Sequence, residues 1–288
     1  MKIASVIPTY NEFDFLRKCV FSLKTQKNIA DLNLDIYIIN AGQKLPSDIA
    51  ALVYEEKVPD NYYWGASIEH GFSILRKKDY SFIMIGNADA LYSENFVSAL
   101  VEAVKEDTNI VGCAPCYRLE NRNLILEYSY IEYGKFICPS YAIADWIIPS
   151  EAPSLKYPIT IGDGKAALFS ANHLNNFSVN YKKFPQHFAD TDLFLKMKKF
   201  GLKFIMVPST YVVDLNRYKH NRYGSFGLKT LLHVKMWICF YFENLPCYLA
   251  FVAILFKIAI SCFPPFKYLI KYYYCKKRNI KPVSIHVG

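Results

Sequence analysis

The segment Asn87-Ala88-Asp89 places polar side chains directly after an apolar run that begins at Phe82. Such a run is typical of a buried strand, and a carboxylate at its end is costly unless it meets water, a donor or a cation. In open α/β sheets, ligands bind just beyond the carboxyl ends of the strands. The pattern therefore predicts that Asp89 lies where a divalent metal ion and a diphosphate could bind. A surface turn that contains an aspartate is the plainer alternative.

A second acidic pair, Asp190 and Asp192, is predicted just ahead of a helix that ends near Gly201. The apolar positions of this helix are Leu193, Leu195, Met197 and Phe200. Aspartate is a common N-cap and is favoured near a helix N-terminus, so capping would account for one of the two. Two carboxylates exceed what a cap requires, and at least one is predicted to serve chemistry. Gly201 suits the position that follows a helix.

The elements around these carboxylates alternate between strand and helix. Residues 3–7 predict a strand that Pro8 ends, and residues 13–23 have the apolar spacing of a helix. Residues 34–39 predict a second strand, which ends at Asn40. This alternation predicts a parallel, doubly wound sheet.

The segment 61–72 contributes glycines and aromatic side chains. Gly65 and Gly71 allow close backbone approach, and Trp64 with the neighbouring tyrosines offers flat faces for a sugar or a base. Aromatic packing in a core would explain the same composition. The glycine spacing is not a dinucleotide-binding fingerprint, and the chain contains no Walker sequence.

In their order and spacing, six segments resemble the family 2 glycosyltransferases, which have the GT-A fold. They are residues 6–12, 39–43, 63–71, 87–89, 163–169 and 189–201. The resemblance implies an α/β fold, Rossmann-like, in which helices flank a mostly parallel central sheet. It also implies a nucleotide-sugar donor and a direct displacement that inverts the anomeric centre. The Asn-x-Asp form of the metal motif is similar to that of enzymes that transfer rhamnose from dTDP-rhamnose.

The resemblance assigns roles to individual residues. Asp190 is implied as the general base that takes the proton of the acceptor hydroxyl. The implied donor-binding residues are Pro8, Tyr10, Glu12, Asn40, Trp64, Gly65, Asn87 and Ala88. The implied acceptor-side residues are Gly164, Asp192 and His187. The implied ligands of a Mg²⁺ or Mn²⁺ ion are Asp89, Asp214 and His220.

Five positions depart from the family pattern. Asn40 and Ala88 replace aspartates, Ala189 replaces an acidic residue, and Lys196 replaces an arginine. Asp214 stands where many relatives have a metal-ligating histidine. An amide can both donate and accept, so base recognition is expected to survive at Asn40, whereas lysine cannot reproduce the planar fork of arginine. These departures motivate an alternative function, a non-catalytic nucleotide-sugar-binding protein at the membrane surface.

The composition indicates a large domain followed by a basic, apolar extension. The 288 residues are 52% hydrophobic, enough for a full core, and the eight cysteines lack a disulfide framework. No secretory signal peptide opens the sequence, so we expect a cytoplasmic protein. Residues 201–288 carry 13 Lys and Arg against two acidic residues, whereas residues 1–200 are nearly neutral. We therefore predict a GT-A domain at 1–220 and a helical, membrane-associating extension at 221–288.

Residues 245–263 form a nearly continuous apolar run that precedes a basic, tyrosine-rich tail. A core helix, a transmembrane span and an amphipathic helix in the membrane plane are the three interpretations. The 19-residue run has Pro246 near one end and Lys257 inside it, which favours an in-plane or re-entrant helix. A basic tail can also bind RNA, but no RNA-binding signature is present, so no nucleic acid is expected.

The expected partners are therefore a UDP- or dTDP-sugar, a glycan or lipid-linked acceptor of surface-polysaccharide synthesis, and the inner face of the cell membrane.

Overall fold

The computed structural model describes residues 1–120, 123–128, 130–133, 139–142, 155–186, 188–215, 235–236, 238–243 and 246–262. The chain forms two compact units. The first comprises Met1–Gly134 and Pro139–Phe226, and the second comprises Lys135–Cys138 and Gly227–Gly288.

The first unit contains most of the strands and helices. Its strands are β1 (Lys2–Thr9), β2 (Asn33–Asn40), β3 (Tyr54–Lys57), β4 (Phe82–Ile85), β5 (Ala90–Tyr92), β6 (Ile110–Cys113), β7 (Cys116–Glu120), β8 (Asn123–Tyr128), β9 (Tyr130–Tyr133), β10 (Pro139–Ala142), β11 (Tyr157–Ile159), β12 (Ala167–Ser170), β13 (Lys203–Met206) and β14 (Val212–Asp214). Its helices are α1 (Phe13–Lys24), α2 (Ser47–Ala50), α3 (Trp64–Leu75), α4 (Phe96–Val104) and α5 (Ala189–Lys199), with a 3₁₀ helix at Ala171–Asn176. Helix α6 (Cys247–Cys262) belongs to the second unit.

The main sheet has eight strands in the order β11-β13-β6-β12-β4-β1-β2-β3. Strands β4, β1, β2 and β3 pair in parallel, as do β6 and β13, whereas β12 runs antiparallel between β4 and β6. The predicted α/β class with a mainly parallel central sheet is thus confirmed. A second, four-stranded sheet has the order β5-β14-β7-β8, and β9 pairs with β10.

Strand β1 lies inside the main sheet and is apolar on both faces. Ile3, Ala4, Val6 and Ile7 are all fully buried. Burial on both faces explains the continuous apolar run, because a central parallel strand has no face turned to water. Helix α1 starts at the predicted residue and ends one residue beyond the predicted Leu23.

Strand β1 runs through Pro8 to Thr9, so the prediction that Pro8 ends the strand is wrong. Val6 O accepts a hydrogen bond from the N–H of Gly86 (3.0 Å), the first residue after β4. Residues two apart on a strand turn their backbone groups toward the same neighbour, so Pro8 faces this side beyond the end of β4. The N–H that proline lacks therefore removes no ladder hydrogen bond.

Helix α3 packs closely on the sheet through Gly71. A Cβ at this position would lie 2.5 Å from Cγ1 of Val6 on β1, which is too close for two carbon atoms. The close backbone approach predicted from the glycines of this segment is therefore real at Gly71, and it serves the contact between a helix and a strand.

Helix α5 ends as its sequence predicts. Gly201 has a left-handed backbone with φ of 108°. Its N–H donates to Lys198 O (3.0 Å), and the N–H of Leu202 donates to Met197 O (3.0 Å). These two hydrogen bonds form a Schellman motif, in which glycine takes the strained position without cost.

Within the part of the chain that the structure describes, no helix has both the length and the apolar character needed to cross a bilayer. Helix α6 covers 16 residues, Cys247–Cys262, of the predicted apolar run. The basic tail that follows it, residues 263–288, lies outside the described residues.

Candidate active site

The polar segments predicted to carry chemistry follow neighbouring strands of the main sheet. Strands β2, β1 and β4 lie side by side in parallel, so the loops after them leave the same edge. Asn40 ends β2, Glu12 lies in the loop after β1, and the segment Asn87–Asp89 lies in the loop after β4. The fold therefore brings together three segments that are far apart in sequence.

Asp89 and Asp214 are neighbours at this edge. Asp214 is the last residue of β14, opposite Ala90 of β5, and the N–H of Leu215 donates to Asp89 O (2.7 Å). Both aspartates are buried, with 9% and 7% of their surface exposed. The structure thus places together two of the three predicted metal ligands.

Lys165 extends into the same position, and the sequence interpretation missed it. Its Nζ forms an ion pair with Oδ2 of Asp214, and the two side chains are 14% and 5% exposed. Burial acts to lower the pKa of Lys165, but nearby carboxylates, Asp89 first among them, outweigh it and raise the pKa. The ammonium group is therefore held charged beside Asp89 and Asp214.

Glu12 contributes a third carboxylate from the loop between β1 and α1. Burial raises the pKa of Glu12, and the negative charges of Asp89 and Asp214 raise it further. The single positive charge of Lys165 therefore does not neutralise the negative charge of the three carboxylates Glu12, Asp89 and Asp214.

The residues present suit a hard divalent cation. Carboxylate oxygens of Asp89 and Asp214 are the ligands that Mg²⁺ and Mn²⁺ prefer, and the excess negative charge favours such an ion. Among the described residues, there is no group of three or more His, Cys, Asp or Glu side chains that could hold a metal ion. Oxygens of a bound diphosphate would have to complete the coordination. The third predicted ligand, His220, lies outside the described residues.

Trp64 connects this edge to the start of α5. Its Nε1–H donates to Oδ1 of Asn87 (2.7 Å), and its backbone N–H donates to Oε1 of Gln186 (3.1 Å). The next residue, Gly65, donates its N–H to Pro185 O (2.9 Å), and a Cβ on Gly65 would lie 2.8 Å from Phe184 O. The glycine therefore lets the first turn of α3 contact the loop that leads into α5.

Asp190, the predicted base, lies at the other end of this contact. The N–H of Gly164 donates to its Oδ2 (3.4 Å), and the N–H of Thr191 donates to its Oδ1 (2.8 Å). A Cβ on Gly164 would lie 2.8 Å from Cβ of Asp190 and 3.1 Å from Cζ2 of Trp64. Only glycine fits between these two side chains. The segment 163–165 thus joins Asp190 to the Asp89–Asp214 pair through Lys165.

Neither Asp190 nor Asp192 is a helix cap, so the prediction that both lie ahead of the helix and that capping accounts for one of them is wrong. The helix begins at Ala189 after Phe188, whose backbone is left-handed with φ of 64°. Asp190 and Asp192 lie within the first turn, and the buried Asp192 forms an ion pair with Lys196 (2.7 Å) one turn later. A left-handed phenylalanine is strained, and such strain is concentrated at functional sites.

Asn40, predicted to contact the donor base, is fully buried. Its Nδ2 donates to Gln43 O (2.7 Å) and to Oε1 of Glu55 (2.6 Å), and its Oδ1 accepts from the N–H of Gly42 (2.9 Å). Oδ1 of Asn11 accepts from the N–H of Gln43 (2.6 Å) and ties this loop to the one after β1. In this structure Asn40 shapes the loop, and its contact with a base stays a prediction.

Three predicted site residues remain: Tyr10, Ala88 and His187. Tyr10 is 56% exposed beside the site, whereas Ala88 is buried. His187, predicted on the acceptor side, lies outside the described residues.

Lys165 and Glu55 were not predicted, although a lysine that directly precedes the apolar run 166–169 could have indicated a buried cation.

Comparison with known proteins shows the family of the chain and a similar fold. The model of glycosyl transferase family 2 matches residues 5–174 of the chain. The chain belongs to glycosyl transferase family 2. The matched part contains the segments with Glu12, Trp64, Asp89 and Lys165. Membership in this family supports the transfer of a sugar from a nucleotide sugar.

The crystal structure of GalNAc-T7 with UDP, GalNAc and Mn²⁺ has a similar fold. The TM-score is 0.59 at 14% sequence identity, and the match covers 76% of this chain. The chain spans 44% of the length of that protein, so the likeness concerns the GT-A fold and not the whole molecule. A search of curated proteins gave no match.

Proposed function

We propose that this family 2 glycosyltransferase transfers a sugar, with inversion, from a nucleoside diphosphate sugar to a hydroxyl of a glycan acceptor. The observation that carries the proposal is the placement of Asp190. Gly164 lies between Asp190 and Trp64, and Trp64 donates a hydrogen bond to Asn87, two residues before Asp89. The proposed base and the proposed diphosphate site would therefore be adjacent but separate.

Asp190 is suited to the role of general base. An acceptor hydroxyl is a poor nucleophile, and a carboxylate within hydrogen-bond reach activates it by removing its proton. As the acceptor oxygen bonds to the anomeric carbon, the bond from that carbon to the phosphate oxygen breaks. The hydroxyl proton passes to Asp190, and the nucleoside diphosphate leaves with the electron pair. A single displacement of this kind inverts the anomeric centre.

The leaving diphosphate needs positive charge. Asp89 and Asp214 would hold the Mg²⁺ or Mn²⁺ ion that neutralises its growing charge as the bond breaks. The Mn²⁺ and UDP in the GalNAc-T7 structure support this part of the proposal. The hydrogen bond from Trp64 orients Asn87, and the anchored loop of Asn40 and Asn11 would shape the base pocket.

The identity of the donor is a separate part of the proposal. The UDP of GalNAc-T7 and the Asn-x-Asp form of residues 87–89 support a UDP- or dTDP-sugar, and rhamnose from dTDP-rhamnose is one candidate.

Ala88 and Ala189 favour a second function, non-catalytic binding of a nucleotide sugar, because acidic side chains are absent at both positions. Turnover that depends on Asp190 would exclude this second function.

Thermal shifts with nucleotides test the donor site. A ligand that binds only the folded state raises the melting temperature, by about 5 °C at a hundredfold excess over its dissociation constant. With Mn²⁺ present, we expect UDP or dTDP to give such a shift, and GDP and CMP to give much smaller ones. Melting temperatures unchanged by all four nucleotides, with and without Mn²⁺, would contradict the proposed function.

A membrane location is proposed for the second unit. Helix α6 exposes four large apolar side chains at spacings of three and four residues: Tyr248, Phe251, Val252 and Leu255. This spacing places them on one face, as in helices that lie in the membrane plane. The excess of basic residues in 201–288 supports attraction to anionic lipid. We therefore propose that the enzyme is peripherally associated with the cytoplasmic face of the cell membrane and acts on a lipid-linked acceptor of surface-polysaccharide synthesis.

Vesicle binding tests the membrane proposal. The double variant Phe251→Glu/Leu255→Glu should bind phosphatidylglycerol vesicles at least tenfold more weakly than the wild type, because it puts two charges on the apolar face. Phe21→Glu on α1, where Phe21 is 64% exposed, is the matched control and should bind as the wild type does. Equal sedimentation of all three proteins with vesicles would exclude α6 as the membrane contact.

A further inference from the structure

Lys165 places a cation where the proposed divalent ion would bind. Its ammonium group contacts Asp214, and the two side chains are almost entirely withdrawn from water. Asp89 is close to Asp214, because its carbonyl accepts from the N–H of Leu215, the residue that follows Asp214 (2.7 Å). An ammonium group on Asp214 repels a divalent cation that approaches the same carboxylates, so the two cations compete for them.

The backbone of Lys165 is held in place independently of its ammonium group. Its N–H donates to Oδ1 of Asp163 (2.8 Å), and its carbonyl accepts from the Tyr92 hydroxyl (3.2 Å). The same hydroxyl accepts from the N–H of Asn87 (3.3 Å). Tyr92 therefore joins the loop of Lys165 to the loop of Asp89. The flexible four-carbon stem of the lysine can turn while this frame stays fixed.

We propose that Lys165 is an exchangeable internal cation, which holds Asp214 in the donor-free enzyme and releases it to the metal ion when the donor binds. The released ammonium then pairs with a diphosphate oxygen of the donor, because the diphosphate binds beside Asp89 and Asp214. This role rests on the proposed use of a divalent cation. It makes Lys165 both a competitor of the metal ion and a ligand of the leaving group.

Charge supports the exchange. Asp89 and Asp214 carry like charges at neighbouring positions, and Lys165 neutralises one of these charges. Exchange of Lys165 for a divalent ion would neutralise two, and the diphosphate then supplies the negative partner that the ammonium has lost. Metal binding and donor binding should therefore strengthen each other, as linkage requires.

Calorimetric titrations of the full chain test the exchange through binding alone. Without nucleotide, Lys165→Met should bind Mn²⁺ with a dissociation constant at least tenfold lower than the wild type, because the competing charge is gone. With saturating Mn²⁺, the same variant should bind UDP at least threefold more weakly, because the ammonium no longer reaches the diphosphate. A residue with a purely structural role would not change the two affinities in opposite directions.

The matched control is Lys105→Met, which removes a lysine from another ion pair, with Glu102 (2.7 Å), next to helix α4. It should leave both affinities unchanged. If Lys165→Met does not fold, Lys165→Gln replaces it and should change both affinities in the same directions, because its amide can still donate to Asp214 without the charge.

Equal Mn²⁺ affinity in the wild type and the Lys165 variant would overturn the exchange and leave the proposed function intact. Failure of every protein to bind Mn²⁺, both without nucleotide and with saturating UDP, would overturn both the exchange and the use of a divalent ion. UDP binding in the presence of EDTA would then show whether the donor site exists without the metal.

Discussion

Replacement of Asp190 by asparagine should lower the rate of sugar transfer by at least about a thousandfold. The amide keeps the shape of the side chain, and its single oxygen can still accept from the N–H of Thr191, but it cannot take a proton from the acceptor. Nucleotide affinity should change less than threefold, because the base touches the acceptor and not the diphosphate. Steady-state kinetics and the thermal shift with nucleotide measure the two quantities separately.

Asp107→Asn is the matched control for this experiment. Asp107 lies in an exposed turn, where Oδ1 accepts from the N–H of Asn109 (2.9 Å), and asparagine preserves that contact. Transfer by this variant should equal that of the wild type. Near-normal transfer by Asp190→Asn would remove Asp190 from the role of base, and Asp192→Asn would be the next variant to assay.

The second large effect is expected at Asp89. Asp89→Ala should weaken Mn²⁺-dependent nucleotide binding by at least about tenfold, because it removes a hard oxygen ligand from the centre of the carboxylate group. Affinity measured in EDTA should change much less, since the contacts of the nucleotide with the rest of the site remain. Titration with UDP or dTDP in the two conditions gives both values.

Asp60→Ala provides the control for Asp89→Ala, because Asp60 is exposed and its ion-pair contact with Lys57 has a separation of 4.0 Å. It should bind nucleotide as the wild type does. Unchanged nucleotide affinity of Asp89→Ala in Mn²⁺ would exclude Asp89 as a metal ligand. If Asp89→Ala melts below the measuring temperature, Asp89→Asn, which retains the side-chain volume, tests the same loss of charge.

The sequence predicted the elements that position the site because their local patterns are strong. Continuous apolar runs followed by polar residues gave β2 and β4, and the helical period of residues 13–23 gave α1. The order of polar loops after parallel strands then determined which side chains would meet. The glycine at 201 also marked the end of α5 correctly, since a left-handed residue is required there.

Long-range contacts decided what the sequence could not predict. Pro8 continues β1 because the neighbouring strand has already ended on that side, and this depends on the register between strands. Asn40 turns its amide into its own loop because Glu55, from β3, lies within hydrogen-bond reach. Lys165 meets Asp214 across 49 residues of sequence, and no local pattern encodes such a pair.

The most direct test of the central claim is the release of nucleoside diphosphate from a panel of UDP- and dTDP-sugars by the wild type and by Asp190→Asn. We predict that the wild type turns over one donor in the presence of Mn²⁺, with water in place of the acceptor, and that Asp190→Asn loses this turnover while it still binds the nucleotide. Equal release by the two proteins, or no release from any donor, would contradict the assignment of Asp190 as the base of a nucleotide-sugar transferase.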